Sequence, residues 1–87
     1  MTEAMFLVLV VEDDAGIRTV LRTLLESQHY RVAEAENAAR GAIEARAHRP
    51  DLAIVDLGLP DRDGLSLIRE IRRYSPLPIL VLSARTM

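Results

Sequence analysis

Two stretches of this chain, "FLVLVV" at 6–11 and "DLAIVDL" at 51–57, are apolar without the polar alternation of a half-exposed strand. An unbroken run of this kind reads as a strand buried on both faces, which is how strands behave in parallel sheets covered by helices on each side. Between them the period changes. Ile17, Val20, Leu21, Leu24 and Leu25 recur at helical spacing, with Arg18, Arg22 and Glu26 on the other face. "YRVAEAE" at 30–36 alternates and reads as a shorter, more exposed strand. Asn37 suits the N-cap of a helix over "AARGAIEARAH", which ends before Pro50. "GLPDRDG" is a loop by its Gly, Pro and Asp content. Leu65, Ile68 and Ile71 mark a third helix, with Leu67 and Tyr74 beside that stripe; "SPLP" breaks it and "ILVLS" forms a fourth strand.

The order β-α-β-α-β-α-β predicts an α/β domain with a doubly wound parallel sheet and right-handed crossovers. The first and third strands are the most apolar early ones and belong at the centre; the more polar second strand belongs at an edge. The resulting order, 2-1-3-4, puts a switch point between strands 1 and 3, where ligands bind beyond the carboxyl ends of the strands.

The totals narrow the function classes. The 87 residues make one domain, and a formal net charge of −2 argues against nucleic-acid binding by bulk electrostatics. With no cysteine, neither a disulfide framework nor a thiolate metal site can form. The apolar runs are too short for a membrane span, and the N-terminus lacks a basic region leading into an apolar core, so a cytoplasmic protein is expected. All 11 basic residues are arginine, and they read as solvated helix faces scattered along the chain.

"VEDD" at 11–14 crowds Glu12, Asp13 and Asp14 where the first strand stops, and Asp56 ends the third. Adjacent strands lie about 4.8 Å apart, so Glu12, Asp13 and Asp56 should meet at one crevice. Such carboxylates repel one another unless a cation joins them, and an all-oxygen donor set suits a hard ion such as Mg²⁺. A carboxylate beside Mg²⁺ can attack a phosphoryl group and form an acyl phosphate. Asp56, alone at a central strand end, is the candidate nucleophile. Ser83, at the end of the next strand, could hydrogen-bond a phosphoryl oxygen and report its presence.

Each piece also has an ordinary reading. Asp14 fits an N-cap, and Asp61 and Asp63 fit turn residues. Ser83 could be loop punctuation. His29 and His48 lie near helix ends, without a partner at ligand spacing, and should face solvent. What weighs against coincidence is the placing of acid, acid and hydroxyl at three successive strand ends.

"VEDD" after the first strand, "DLGLPDRDG" after the third and "VLSAR" after the fourth together resemble the receiver domain of bacterial response regulators, in particular the OmpR/PhoB-type branch. The resemblance runs from about residue 5 to the end of the chain. It implies the flavodoxin-like fold, with Asp56 as phosphoacceptor for a sensor histidine kinase. It further implies that Asp13 binds Mg²⁺ directly, that Glu12 does so through water, and that the backbone carbonyl of Gly58 completes the protein's share of the coordination. Ser83 would be the switch hydroxyl, with Ala84 small enough to leave the phosphate approachable. Such a module signals and is not an enzyme; DNA is reached only through a downstream effector domain, which these residues do not include.

Receivers of this family have five βα units. Residues 1–87 therefore read as a receiver domain truncated after strand 4, without the fifth strand and the last two helices. The loop after strand 5 normally supplies a lysine that pairs with the acceptor carboxylate, and this sequence has none. Arginine is a poor copy of a point-like ammonium, so impaired phosphotransfer is expected. Strand 4 should become an exposed apolar edge, and self-association or marginal stability should follow.

Two other readings remain open at this point. An interaction or assembly module could carry the acids for solubility alone. A phosphatase with an aspartate nucleophile usually has a second Asp two residues on, where this chain has Gly58. Dinucleotide binding is weaker again, since no G-x-G-x-x-G follows a strand.

Overall fold

Every residue of β1 (Leu7–Val11) is buried, because the strand has neighbours on both edges and helices above and below. The structure, a computed structural model, describes residues 5–82. After β1 come α1 (Ala15–Ser27), β2 (Arg31–Ala35), α2 (Ala38–His48), β3 (Leu52–Asp56), α3 (Gly64–Arg72) and β4 (Ile79–Leu82). The sheet is parallel throughout, in the order β2-β1-β3-β4. The apolar ranking of the strands placed β1 and β3 centrally and β2 at an edge, and that is where they lie.

Alternate residues of the central strands feed two cores. Leu9, Val11, Ala53 and Val55 meet Ala38 and Ala45 of α2 and Leu67 and Ile71 of α3. On the opposite face Val8, Val10 and Ile54 are covered by Leu21 and Leu25 of α1. Gly41 lets α2 settle on the first core: a Cβ there would lie 3.0 Å from both Leu67 Cδ2 and Val11 Cγ2. Leu67 is fully buried, and truncating such a leucine costs about 2–5 kcal/mol.

Each helix starts on an acid or amide that satisfies a free amide of its first turn. Asp14 Oδ1 accepts from Ile17 N at 2.9 Å, Asn37 Oδ1 from Arg40 N at 2.8 Å, and Asp63 Oδ1 from Leu65 N at 2.9 Å. Asp61, expected to be a turn residue, reaches across the fold instead. Its carboxylate accepts from Ala38 N at 2.8 Å and Ala39 N at 2.9 Å, giving α2 a second cap.

Two helices are rotated relative to their expected faces. The half-buried positions of α1 are Arg18, Leu21, Arg22 and Leu25, while Ile17, Val20 and Leu24 are exposed. Glu34 of β2 pairs with both arginines, at 3.3 Å to Arg18 and 2.7 Å to Arg22. Their aliphatic stems can pack while their heads remain paired. In α3 the buried line is Gly64, Leu67 and Ile71, and Leu65 is exposed. Gly64 packs on the backbone after β3, and that contact sets the rotation of the helix. His29 and His48 are exposed, as expected, but His48 Nε2 meets Glu44 Oε1 at 3.0 Å.

Candidate phosphoacceptor and cation site

The register of the central strands builds the site. Val11 is opposite Val55, so the next residue of each strand, Glu12 and Asp56, emerges beside the other at the carboxyl edge of the sheet. Glu12 N still donates to Ala35 O at 2.9 Å, which holds the residue in line with β1. Both acids are buried, with 3% of Glu12 and 8% of Asp56 exposed, whereas Asp13 is open to solvent. Carboxylate oxygens of Glu12, Asp13 and Asp56 lie within 4.8 Å of one another. The convergence expected from the strand ends is therefore present.

Local hydrogen bonds aim these groups. Glu12 Oε2 accepts from Asp14 N at 2.9 Å, and Asp56 Oδ1 accepts from Gly58 N at 3.1 Å. Arg18 Nη1 donates to the carbonyl oxygens of Glu12 at 2.7 Å and Asp13 at 3.2 Å, tying the β1–α1 loop to α1. Sequence reasoning missed Arg18, because its periodicity placed it on the solvent side; the acid at position 34 was the available signal. Gly64 was also missed. A Cβ on it would overlap the carbonyl oxygen of Asp56 and lie 2.8 Å from Leu57 Cα, so only glycine lets the loop close behind Asp56.

The electrostatics favour a cation. Burial pushes the Glu12 carboxyl above its ordinary value; the amide of Asp14 partly offsets this, while the Asp56 charge and the neighbouring Asp13 push it further up. No ion pair among the described residues includes Glu12, Asp13 or Asp56. Two buried carboxylates and one exposed one, all oxygen donors without a side-chain cation, fit a hard divalent ion. Gly58 stands beside them through its amide. Ser83 and Ala84 lie outside the described residues; β4 pairs Leu82 with Asp56.

The description of the response regulator receiver domain matches residues 8–87. The KDP operon transcriptional regulatory protein KdpE of Escherichia coli K12 is 54% identical over 79 residues, covering 91% of this chain and 35% of the relative. The virulence transcriptional regulatory protein PhoP of Shigella flexneri is 52% identical over 79 residues, covering 90% of this chain and 35% of the relative. This chain thus spans about a third of the length of these curated relatives. A CheY-like response regulator receiver domain protein from Methanospirillum hungatei superimposes with a TM-score of 0.92 at 25% identity, covering 97% of this chain and 68% of the other.

Proposed function

The chain belongs to the response regulator receiver domain family, and we propose that Asp56 is its phosphoacceptor, charged by a sensor histidine kinase in the presence of Mg²⁺. The observation that carries this reading is the strand register that sets the buried Asp56 carboxylate beside Glu12 and within 4.8 Å of the Glu12 and Asp13 oxygens.

In the transfer, an Asp56 carboxylate oxygen forms a bond to the phosphorus of a phosphohistidine as the N–P bond breaks, and the electron pair of that bond stays on the imidazole nitrogen. Gly58 N–H holds Asp56 Oδ1 and fixes the plane of the carboxylate before attack. Glu12 and Asp13, with the Gly58 carbonyl, would hold the Mg²⁺. That ion supplies neutralisation of charge on the transferring oxygens. Arg18 keeps the loop carrying Glu12 and Asp13 in place. Ser83, at the step after β4, would read the phosphoryl group through its hydroxyl.

No lysine is present in the 87 residues. Losing one preorganised charge at a phosphoryl-transfer site costs on the order of 3 kcal/mol, roughly a hundredfold in rate, so transfer to this chain should be slow. The two curated relatives are transcriptional regulatory proteins. By that likeness the module would serve transcription regulation, with DNA contacted by a separate effector domain. Among the described residues no helix is long and apolar enough to cross a membrane.

A second reading, an interaction module that is never phosphorylated, draws on the β4 edge, where Leu80 and Val81 are exposed. Mg²⁺ separates the two. In a ¹⁵N–¹H correlation spectrum, millimolar Mg²⁺ should shift amides around Glu12, Asp13, Asp56 and Gly58, and Asp13→Asn should abolish the shifts. A dispersed spectrum that ignores Mg²⁺ would favour the interaction module.

A further inference from the structure

The arginines are not scattered. Arg18, Arg22 and Arg40 are paired with Glu34 or Glu44. Four others line one groove between α2 and α3: Arg46, Arg62, Arg69 and Arg73 surround a cavity of about 530 Å³ with Glu70 as the single acid. Tyr74 joins it to a second hollow of about 440 Å³, which contributes Arg49 and no acid. A chain of net charge −2 has therefore gathered five of its 11 basic side chains on one concave surface. None of these residues belongs to the Glu12–Asp13–Asp56 pocket.

Internal partners absorb part of this charge. Arg62 Nη2 meets Glu70 Oε1 at 2.6 Å, and the Arg46 guanidinium lies 4.1 Å from the centroid of the Tyr74 ring. Arg69 and Arg73 make no ion pair or side-chain hydrogen bond among the described residues. The ordinary explanation for cations on the last turn of a helix is its dipole. That accounts for Arg69 at the end of α3 and for Arg46 at the end of α2, but not for Arg62 of the loop before α3, nor for the gathering of both helix ends and that loop around one cavity. Like charges converging on one space are relieved by a multivalent anion.

Shape and chemistry narrow the anion. The cavity falls within the ~300–1,000 Å³ range of small-molecule sites, so a compact ligand fits it better than an extended nucleic acid. Planar guanidinium forks match the oxygens of phosphate in bidentate fashion. A chain of linked phosphates offers several such faces in a row, as the arginines do. We propose that the groove between α2 and α3 binds a polyphosphate chain, either free or carried by a nucleoside triphosphate. The site is independent of the Asp56 reading.

The test is a titration of the chain in EDTA, so that the acidic pocket stays metal-free, with tripolyphosphate, ATP and, at matched ionic strength, sulfate. Binding is read by calorimetry and by shifts of the arginine Nε–Hε and Tyr74 amide signals. Tripolyphosphate should bind saturably, shift the signals of Arg46, Arg69 and Arg73, and lose at least tenfold in affinity in the exposed double variant Arg69→Gln/Arg73→Gln. Equal binding of ATP and tripolyphosphate means that only the phosphates are read, whereas tighter ATP binding assigns the site to a nucleotide. The proposal is overturned if neither ligand binds, if sulfate produces the same shifts, or if an oligoglutamate peptide binds where tripolyphosphate does not. The shift map on the unaltered chain decides the matter even if the double variant is unstable.

Discussion

Gly64 rests against the carbonyl oxygen of Asp56 with no room for a side chain between them. The loop from Leu57 to Asp63 therefore closes on Asp56, and Gly64 N donates to Leu57 O at 3.1 Å. Replacing Gly64 with Ala must push α3 or the end of β3 aside. Overpacking of this kind costs about 1–3 kcal/mol. Gly64→Ala should lower the denaturant midpoint and displace the Asp56 and Gly58 amide resonances, while Gly58→Ala, at an exposed position, should leave the midpoint unchanged.

Arg18 links α1 to the carbonyls of Glu12 and Asp13 while Glu34 holds it from the other side. Residues that orient metal ligands from behind typically govern 10- to 100-fold in affinity. Arg18→Ala should weaken Mg²⁺ binding by on the order of tenfold, whereas Arg22→Ala, which leaves Arg18 on the loop, should have a much smaller effect. Titration by isothermal calorimetry checks both.

Glu12 predicts an opposition between stability and metal binding. Burial, with the Asp56 and Asp13 charges, raises its carboxyl above the unfolded value. The folded chain therefore holds its proton more tightly than the unfolded chain. Between the ordinary glutamate value and the raised one, this group's contribution to stability falls as the pH rises. Glu12→Gln should raise Tm by a few degrees at neutral pH without metal and weaken Mg²⁺ binding; thermal melts with and without Mg²⁺ measure both.

Asp61 has the opposite sign. Hydrogen bonds from the amides of Ala38 and then Ala39 hold its carboxyl below the usual aspartate range. Its contribution is complete above the unfolded value and is lost as the pH falls through the lowered one. Asp61→Asn should therefore reduce Tm by a few degrees at neutral pH, and the gap to the parent should close on acidification. A gap that persists in acid would contradict the capping role.

β4 forms one edge of the sheet and exposes Leu80 and Val81. Apolar strand edges are templates for pairing with a second chain. Light scattering should show association that rises with concentration, and Val81→Lys should return the chain toward a monomer.

Legibility in the sequence followed the strength of the physical signal. Strand order was readable because "FLVLVV" and "DLAIVDL" have no polar face to expose, and the Glu12–Asp13–Asp56 cluster followed from that order alone. Helix faces were less readable. In α1 the inward side carries Arg18 and Arg22, paired with Glu34, while Ile17, Val20 and Leu24 are exposed, an arrangement that periodicity cannot register. Asp61 looked like loop punctuation because its partners, Ala38 and Ala39, lie far away in sequence. The arginine groove was hidden for the same reason: its members are dispersed from 46 to 73 and gather only when α2 and α3 pack side by side.

The most direct measurement of the central claim is intact-mass analysis after prolonged incubation with a small phosphodonor such as acetyl phosphate and Mg²⁺. Slow uptake of one phosphoryl group is expected, abolished by EDTA and by Asp56→Asn. Uptake that survives Asp56→Asn, or a chain that binds Mg²⁺ at Glu12 and Asp13 yet takes up no phosphoryl group, would contradict it.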